Sequence, residues 1–275
     1  MPTLPSAPDG RRAGDGTHAL RAAAQSYGAD AERYDRTRPR YPDALIERVI
    51  ETSPGRDVLD VGAGTGIAGL AFQAAGCTVL GVEPDPRMAE FARRKGLDVE
   101  VAAFEDWDPA GRTFDTLTAA TAWHWIDPVA GAAKAARALR PGGRLALFWN
   151  AFEPAPRIAE AFAAVYARVL PDSPVFQRAM AGRDSYAGVV ARASEGLRQS
   201  GAFGHFDQWR FGWDRAYTRD EWLEQVPTFG GHGQLPPDRR ESLLTGIGEA
   251  VDAMGGGFTM RYTALVLTAV HTADR

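Results

Sequence analysis

One stretch of the chain limits its possible folds more than any other: residues 57–66, which read DVLDVGAGTG. Val58, Leu59 and Val61 form the apolar run of a short strand that is covered on both faces, as in a parallel sheet. A glycine-rich loop follows, and the next residues predict a helix over 67–75. Because glycine lets the backbone turn tightly and approach a ligand, the stretch predicts a strand–loop–helix unit that binds a ligand at the start of its helix.

Two acidic residues around this loop indicate which ligand it binds. Asp60 ends the first strand, and Glu83 ends a second apolar strand over 79–83. The loop glycines are Gly62, Gly64 and Gly66. A dinucleotide fingerprint would place its third glycine one position later, where this chain has Ile67. An acid directly before the loop repels a pyrophosphate and attracts a cationic amine, and Glu83 is placed to accept both hydroxyls of a ribose. These features together describe S-adenosylmethionine (SAM).

On these residues the chain resembles the class I SAM-dependent methyltransferases. The spacing of Asp60 and the three loop glycines is similar to their first motif, and Glu83 is similar to their ribose-binding acid. The turn at 139–143, which reads LRPGG, is also typical of the family. The resemblance implies SAM as the cofactor. It also implies a Rossmann-like α/β fold with a seven-stranded, mostly parallel sheet, an antiparallel last strand and a helical lid inserted after strand five.

The segment 34–42, which reads YDRTRPRYP, resembles a Tyr-x-x-x-Arg-Pro-x-Tyr-Pro element of one broad group of these enzymes. The resemblance implies that Tyr34 and Arg38 fold over the SAM site, with Arg38 near the methionine carboxylate. A guanidinium group suits a carboxylate because it forms two parallel charge-assisted hydrogen bonds.

The resemblance also assigns cofactor contacts near the ends of later strands. Met88 either contacts the adenine or packs in the core, and Phe104 supplies a backbone contact and an apolar cover. The family often has an acid in the turn after strand three, at the position where this chain has Ala103. The remaining predicted cofactor residues are Pro84, Glu105 and Ala120.

The loop after the fourth predicted strand reads TAWHWIDP over 121–128. Ligands of open α/β sheets sit beyond the carboxyl ends of the strands, so we expect this loop to face the reacting group. It resembles a His-Trp element of the same group, and His124 either acts as a general base or only orients the substrate. Trp123 and Trp125 are predicted to shape the substrate pocket, although one of them could be core. Further predicted substrate-binding residues are Tyr27, Phe229 and His232.

Composition and patterning predict the organisation of the rest of the chain. Residues 1–16 are rich in Pro, Gly and Asp and are predicted to be a disordered tail. Residues 17–150 are predicted to form the SAM-binding core with an N-terminal cap. The segment 151–204 is predicted to be a helical lid, and 205–275 to complete the sheet.

Charge and motifs exclude several classes of function. A formal net charge of -4 argues against nucleic-acid binding, which needs a basic face. The five histidines show no metal-ligand spacing, so no metal is expected. No apolar run approaches the length of a membrane helix, and the single cysteine, Cys77, cannot form an internal disulfide. The sequence predicts a cytoplasmic protein that does not bind membranes, and a homodimer is an open alternative.

The expected function is therefore SAM-dependent methyl transfer to an oxygen or nitrogen of a small molecule. The acceptor is expected to be a secondary metabolite or a small carboxylic acid. An alternative is a SAM-binding protein of the same fold that transfers no methyl group, either a regulator or a cyclisation catalyst. A nucleotide-binding oxidoreductase is a third possibility, against which Asp60 argues.

Overall fold

The computed structural model describes residues 26–171 and 184–272, and the predicted N-terminal tail lies outside them. Within the described residues, seven strands form one sheet in the order β3-β2-β1-β4-β5-β7-β6, with β7 antiparallel. This confirms the predicted fold class. The strands are β1 Asp57–Val61, β2 Thr78–Glu83, β3 Asp98–Val101, β4 Phe114–Ala120, β5 Leu139–Glu153, β6 Phe203–Thr218 and β7 Gly257–His271.

Two of the described helices precede β1 and the others lie between strands, and they follow the apolar periodicity of the sequence. They are α1 Ala31–Thr37, α2 Asp43–Glu51, α3 Ile67–Ala74, α4 Pro86–Arg94, α5 Pro128–Ala138, α6 Pro156–Val169, α7 Asp184–Ser200, α8 Arg219–Gln225 and α9 Pro237–Asp252. Short 3-10 turns occur at Ser26–Asp30, Trp123–Trp125, Val226–Thr228 and His232–Gln234. A capping box starts α8, where the side chains of Thr218 and Glu221 cap each other's backbone.

The register of the parallel strands brings the two predicted acids to one edge of the sheet. Asp57 pairs with Thr78, and the pairing runs in step to Val61 and Val82. β4 pairs with the other side of β1. Parallel neighbours end at the same edge, so the loops that leave β1, β2 and β4 all start there.

Strand β5 includes the residues 139–143, where the sequence predicts a turn. It begins at Leu139, and the Pro-Gly-Gly segment that suggests a turn is an irregularity within it. The pairing with β4 passes from Leu139 opposite Phe114 to Arg144 opposite Thr116, so three extra residues bulge out of β5.

The chain divides into two compact units. The first comprises the described residues of 1–38, 151–185 and 212–263, and the second those of 39–150, 186–211 and 264–275. Each has its own apolar core. The first core is rich in aromatic residues such as Phe162 and Trp222, while aliphatic residues such as Leu45 and Val58 dominate the second.

Helices α6 and α7 fall in the segment 151–204, after β5, where the sequence predicts helices. The role of this segment as a lid stays a prediction. Within the part of the chain that the structure describes, no helix has the length and apolar character needed to cross a membrane.

Candidate functional site

The glycine loop after β1 is held against β2 and against the loop after β4. The backbone N–H groups of Gly62 and Ala63 donate to the carbonyl of Val82, at 2.8 and 3.2 Å. Gly62 has φ +67, and a β-carbon at this position would lie 2.5 Å from the β-carbon of Ala122. A side chain at Gly62 would therefore be both strained and crowded. This glycine is required by packing inside the protein.

Gly64 differs from Gly62 in what surrounds it. It also has a left-handed backbone, with φ +57, but the nearest atom to an added β-carbon would be Cε of Met88 at 3.7 Å. Among the described residues, this end of the buried Met88 side chain is the one atom within 4 Å of that β-carbon position. Gly66 directly precedes α3, and its N–H donates to the carbonyl of Ala63 at 2.9 Å, which closes the loop at the start of the helix.

Glu83 ties the end of β2 to the glycine loop. Its Oε2 accepts the N–H of Gly64 at 2.8 Å, and its Oε1 accepts the N–H of Asp85 at 2.9 Å. Burial raises the pKa of this carboxyl group to about 7. Each carboxylate oxygen can accept more than one hydrogen bond, so Glu83 keeps capacity for two further donors, such as the hydroxyls of a ribose.

Asp60 lies near the end of β1, directly before the glycine loop. The side chain is almost completely buried, and its Oδ1 accepts the hydroxyl of Thr118 at 2.8 Å. Oδ2 faces the backbone of α3 at Gly69, without a well-formed hydrogen bond from any described residue. Burial raises the pKa of Asp60 to about 6. The Asp60 side chain therefore lies between β4 and α3, and its predicted contact with a cationic amine stays a prediction.

The turn after β3 is built around an aromatic cluster. The carbonyl of Ala103 accepts the N–H groups of Asp106 and Trp107, at 3.0 and 2.9 Å. Phe104 is buried, with its ring centroid 6.4 Å from that of Trp107 in a stacked arrangement and 6.3 Å from that of Trp123. Phe104 thus presents a fixed apolar wall.

Lys134 of α5 fixes the same turn, and sequence reasoning missed it. Its Nζ donates to the carbonyl of Glu105 at 2.8 Å and lies 5.8 Å from the ring centroid of Phe104. Burial lowers the pKa of Lys134. Nothing in the local sequence signals this contact, because it joins residues on two different elements.

The loop after β4 begins with a strained residue. Ala120 ends the strand, and Thr121 has φ +55, which is unusual for a β-branched residue. Its N–H donates to the carbonyl of Phe148 at 2.7 Å, and its hydroxyl is 2.8 Å from the hydroxyl of Tyr41. Such strain is common at functional sites, where surrounding contacts enforce it. Sequence reasoning missed the role of Thr121 in this turn.

His124 lies in the 3-10 turn that follows. Its Nδ1 is 3.4 Å from Nε1 of Trp149, and its ring centroid is 4.6 Å from that of Trp125. Burial lowers the pKa of His124 to about 3, so the ring is neutral at physiological pH. Trp123 is buried and packs on Phe104, which gives it a core position.

Helix α4 begins directly after the acid. Pro84 separates Glu83 from Asp85, and the carboxylate of Asp85 caps the helix by accepting the N–H of Arg87 at 2.9 Å. This arrangement fixes the start of the helix that carries Met88. The structure therefore brings the predicted residues of β1, β2 and α4 together in the second unit.

Tyr27, Tyr34, Arg38 and Phe229 lie together in the first unit. The Arg38 guanidinium carbon is 4.8, 5.5 and 5.8 Å from the ring centroids of Tyr34, Phe229 and Tyr27. Its NH2 group donates to the carbonyl of Thr228 at 2.5 Å. The guanidinium group thus has aromatic and carbonyl partners in its own unit. The predicted contacts of Tyr34 and Arg38 with the cofactor, and of Tyr27 with the substrate, stay predictions.

His232 and Phe229 are buried in the core of the first unit. The Nε2 of His232 is 2.9 Å from the hydroxyl of Tyr166, and burial lowers the pKa of His232 to about 3. Phe229 packs against Phe152 and Trp222, with ring centroids 6.3 and 5.6 Å apart. Both side chains have clear packing roles, and their predicted contact with a substrate stays a prediction.

The sheet order, the glycine loop and the two acids define a class of domain. Residues 34–167 match a family described as a methyltransferase domain, and they form a class I SAM-dependent methyltransferase domain. The cofactor of this class is S-adenosylmethionine.

Two similar proteins are known from their sequences. One is an uncharacterized methyltransferase of Mycobacterium tuberculosis, 38% identical over 128 residues. That match covers 46% of this chain and 52% of the relative, so the chain spans about half the length of this relative. The other is a methyltransferase-like protein of Schizosaccharomyces pombe, 23% identical over 233 residues, covering 80% of this chain and 83% of the relative.

A solved structure supports the same fold. It is described as a type II methyltransferase from Anaeromyxobacter dehalogenans. The TM-score is 0.55 at 23% identity, and the superposition covers 86% of this chain and 97% of the other. At this identity the likeness supports the fold alone.

Proposed function

We propose that the protein transfers a methyl group from SAM to an oxygen or nitrogen of a small molecule. The observation that carries the proposal is the hydrogen bond from the N–H of Gly64 to the carboxylate of Glu83. It joins the β1 loop to the acid of β2 at one edge of the sheet, where a β-carbon at Gly64 would meet only the end of the Met88 side chain within 4 Å among the described residues. An acceptor among small carboxylic acids or secondary metabolites fits the acidic net charge better than a nucleic acid.

The residues of the second unit fit this cofactor. Glu83 has unused acceptor capacity for ribose hydroxyls, and the backbone at Gly64 leaves room for a ligand. Met88 and Phe104 offer buried apolar surfaces for an adenine ring. Asp60 adds a buried negative charge at the end of β1, which favours a cationic ligand.

In this reaction the cofactor activates the methyl group and the protein positions the reactants. Bound SAM supplies a methyl group that is already activated by its sulfonium sulfur. The protein's residues hold the donor and exclude water, and they align the acceptor. Positioning of this kind can supply about 7 kcal/mol or more in favourable cases. No acidic or basic side chain is required to activate the donor.

The cofactor assignment is tested by calorimetry with SAM and with NAD. We expect SAM to bind and NAD not to bind. Glu83→Ala should weaken SAM binding by about 1.5–3 kcal/mol, the scale of hydrogen bonds to a charged group. Glu90→Ala, at an exposed position on α4, is the matched control and should leave the affinity unchanged. Equal SAM affinities in Glu83→Ala and the wild type would contradict the assignment.

Methyl transfer is tested separately, with methyl-labelled SAM and a small-molecule fraction of a cell extract. We expect label to appear in a product with the wild type and to decrease strongly with Glu83→Ala. SAM binding without transfer to any fraction would instead support the alternative of a SAM-binding protein that transfers no methyl group.

A further inference from the structure

The pairing of His124 with Trp149 determines where the histidine carries its proton. Trp149 lies in β5 and is fully buried, and its indole N–H can only donate a hydrogen bond. The partner is Nδ1 of His124, at 3.4 Å. Because Nδ1 accepts this hydrogen bond, it carries no proton, and the neutral ring must carry its proton on Nε2.

The Nε2–H group of His124 is a donor that the described residues leave without an acceptor. Nε2 is buried, and no hydrogen-bond partner lies within reach among residues 26–171 and 184–272. Leaving a buried donor unpaired is unfavourable, so such a group needs an explanation such as a ligand. The loop that carries it starts at the carboxyl end of β4, where ligands of this fold class bind.

We propose that His124 donates its Nε2–H to an oxygen of the methyl acceptor and does not act as a general base. The proposal rests on the proposed methyl transfer. A base must offer a lone pair to the substrate, and here the only lone pair of the ring faces Trp149. Trp149 is therefore a positioning residue that fixes the tautomer of His124.

The tautomer also selects the chemistry of the acceptor. Without a base at this position, the acceptor has to arrive with a lone pair ready to react, as a carboxylate does. One carboxylate oxygen then forms the new C–O bond while the sulfonium–methyl bond breaks and leaves its electron pair on sulfur. No proton is released. The second carboxylate oxygen is free to accept the Nε2–H of His124.

The first test is NMR of protein labelled with ¹⁵N in its histidine rings, and it needs neither cofactor nor acceptor. We expect His124 to be the Nε2–H tautomer and to stay neutral between pH 5 and 8. The exposed His205 serves as the internal reference for a solvated ring. A wild-type His124 with its proton on Nδ1, or one that titrates near pH 6.5, would overturn the proposal.

Trp149→Phe removes the indole donor and keeps most of the ring volume. We expect a measurable population of the Nδ1–H tautomer of His124 in this variant and a single tautomer in the wild type. An unchanged tautomer in a folded variant would show that Trp149 does not position the ring. Because Trp149 is fully buried, His124→Gln provides a second and independent test.

His124→Gln keeps an amide N–H donor near the position of Nε2 but cannot act as a base. In the labelled-methyl assay, we expect this variant to retain activity within about tenfold of the wild type, and His124→Ala to lose about 10- to 100-fold. His205→Gln is the matched surface control. Equal losses in His124→Gln and His124→Ala would overturn the donor role. If the wild type binds no SAM, the proposed function fails, and the tautomer measurement still tests the inference about His124.

Discussion

Asp60 and Glu83 are carboxyl groups that the fold keeps away from water. Burial is the main reason that their pKa values are raised, to about 6 and about 7. For Glu83 the negative charges of Asp85 and Asp60 act in the same direction as burial. Nearby positive charge and new hydrogen-bond donors favour the ionised form of a carboxyl group. A cationic ligand with hydroxyl groups should therefore lower both pKa values when it binds.

We predict that SAM binding releases protons. Below pH 7 a fraction of Glu83 is protonated in the free protein, and the bound cofactor favours the carboxylate. The affinity for SAM should rise by about tenfold between pH 6 and pH 8 and level off above that. Calorimetry at pH 6 in buffers of different ionisation enthalpy measures the protons released. Proton uptake, or an affinity that falls with rising pH, would contradict the prediction.

At the scale of elements, the loops after β1 and β4 determine each other's shape. Gly62 leaves room for Ala122, and the strained backbone of Thr121 is held by Tyr41 and Phe148. These contacts place the turn that carries His124 against the glycine loop after β1. Neither loop can adopt its conformation independently, because each supplies part of the other's packing.

The two loop glycines should respond differently to substitution. Gly62→Ala adds left-handed strain and a clash with Ala122, so we expect a loss of about 2–4 kcal/mol in the free energy of unfolding. Gly64→Ala adds strain of about 1–2 kcal/mol but meets no close atom, and it should mainly weaken SAM binding. Gly142→Ala, with φ +78 and open surroundings, is the control for strain alone.

Thermal unfolding of the cofactor-free proteins and calorimetry with SAM separate the two effects. If Gly64→Ala destabilises the protein as much as Gly62→Ala and leaves SAM affinity intact, the assignment of Gly64 to the cofactor is wrong.

At the scale of the whole molecule, each unit buries a histidine in its neutral form. His124 lies in the second unit and His232 in the first, and burial lowers both pKa values to about 3. An unfolded histidine has a pKa near 6.5, so between about pH 6.5 and 3 the unfolded chain binds more protons than the folded one. Stability is therefore lost as the pH falls. The raised pKa values of Asp60 and Glu83 act in the opposite direction. Their protonation stabilises the folded state at low pH, and this stabilisation is lost as the pH rises through about 6 and about 7.

We predict that the double variant His124→Gln, His232→Gln gains stability relative to the wild type as the pH falls. At pH 5 each histidine should lower the stability of the wild type by about 2 kcal/mol compared with pH 7, and the variant lacks this loss. Comparing the two proteins cancels the contributions of Asp60 and Glu83. Urea unfolding between pH 7 and pH 4.5 gives the difference, with the exposed His205→Gln as control. A pH-independent difference would show that the histidines are not buried in the neutral form.

Local sequence patterns were sufficient for most of the fold. The apolar runs of β1 and β2 predict buried strands, and the residues after the glycine loop predict the helix α3. These features follow from residues that are close in the chain. The bulge in β5 was missed because Pro141 and the following glycines look the same in a turn and in an interrupted strand.

The sequence by itself determined the class of the protein and its cofactor, since Asp60, the loop glycines and Glu83 carry that information in their spacing. Only the tertiary structure decided what the individual groups face. It pairs Asp60 with Thr118 of β4, links Lys134 to the turn after β3 and sets the indole of Trp149 against Nδ1 of His124. Residues far apart in the chain make these contacts. The protonation of His124 therefore follows from packing, and no local pattern could reveal it.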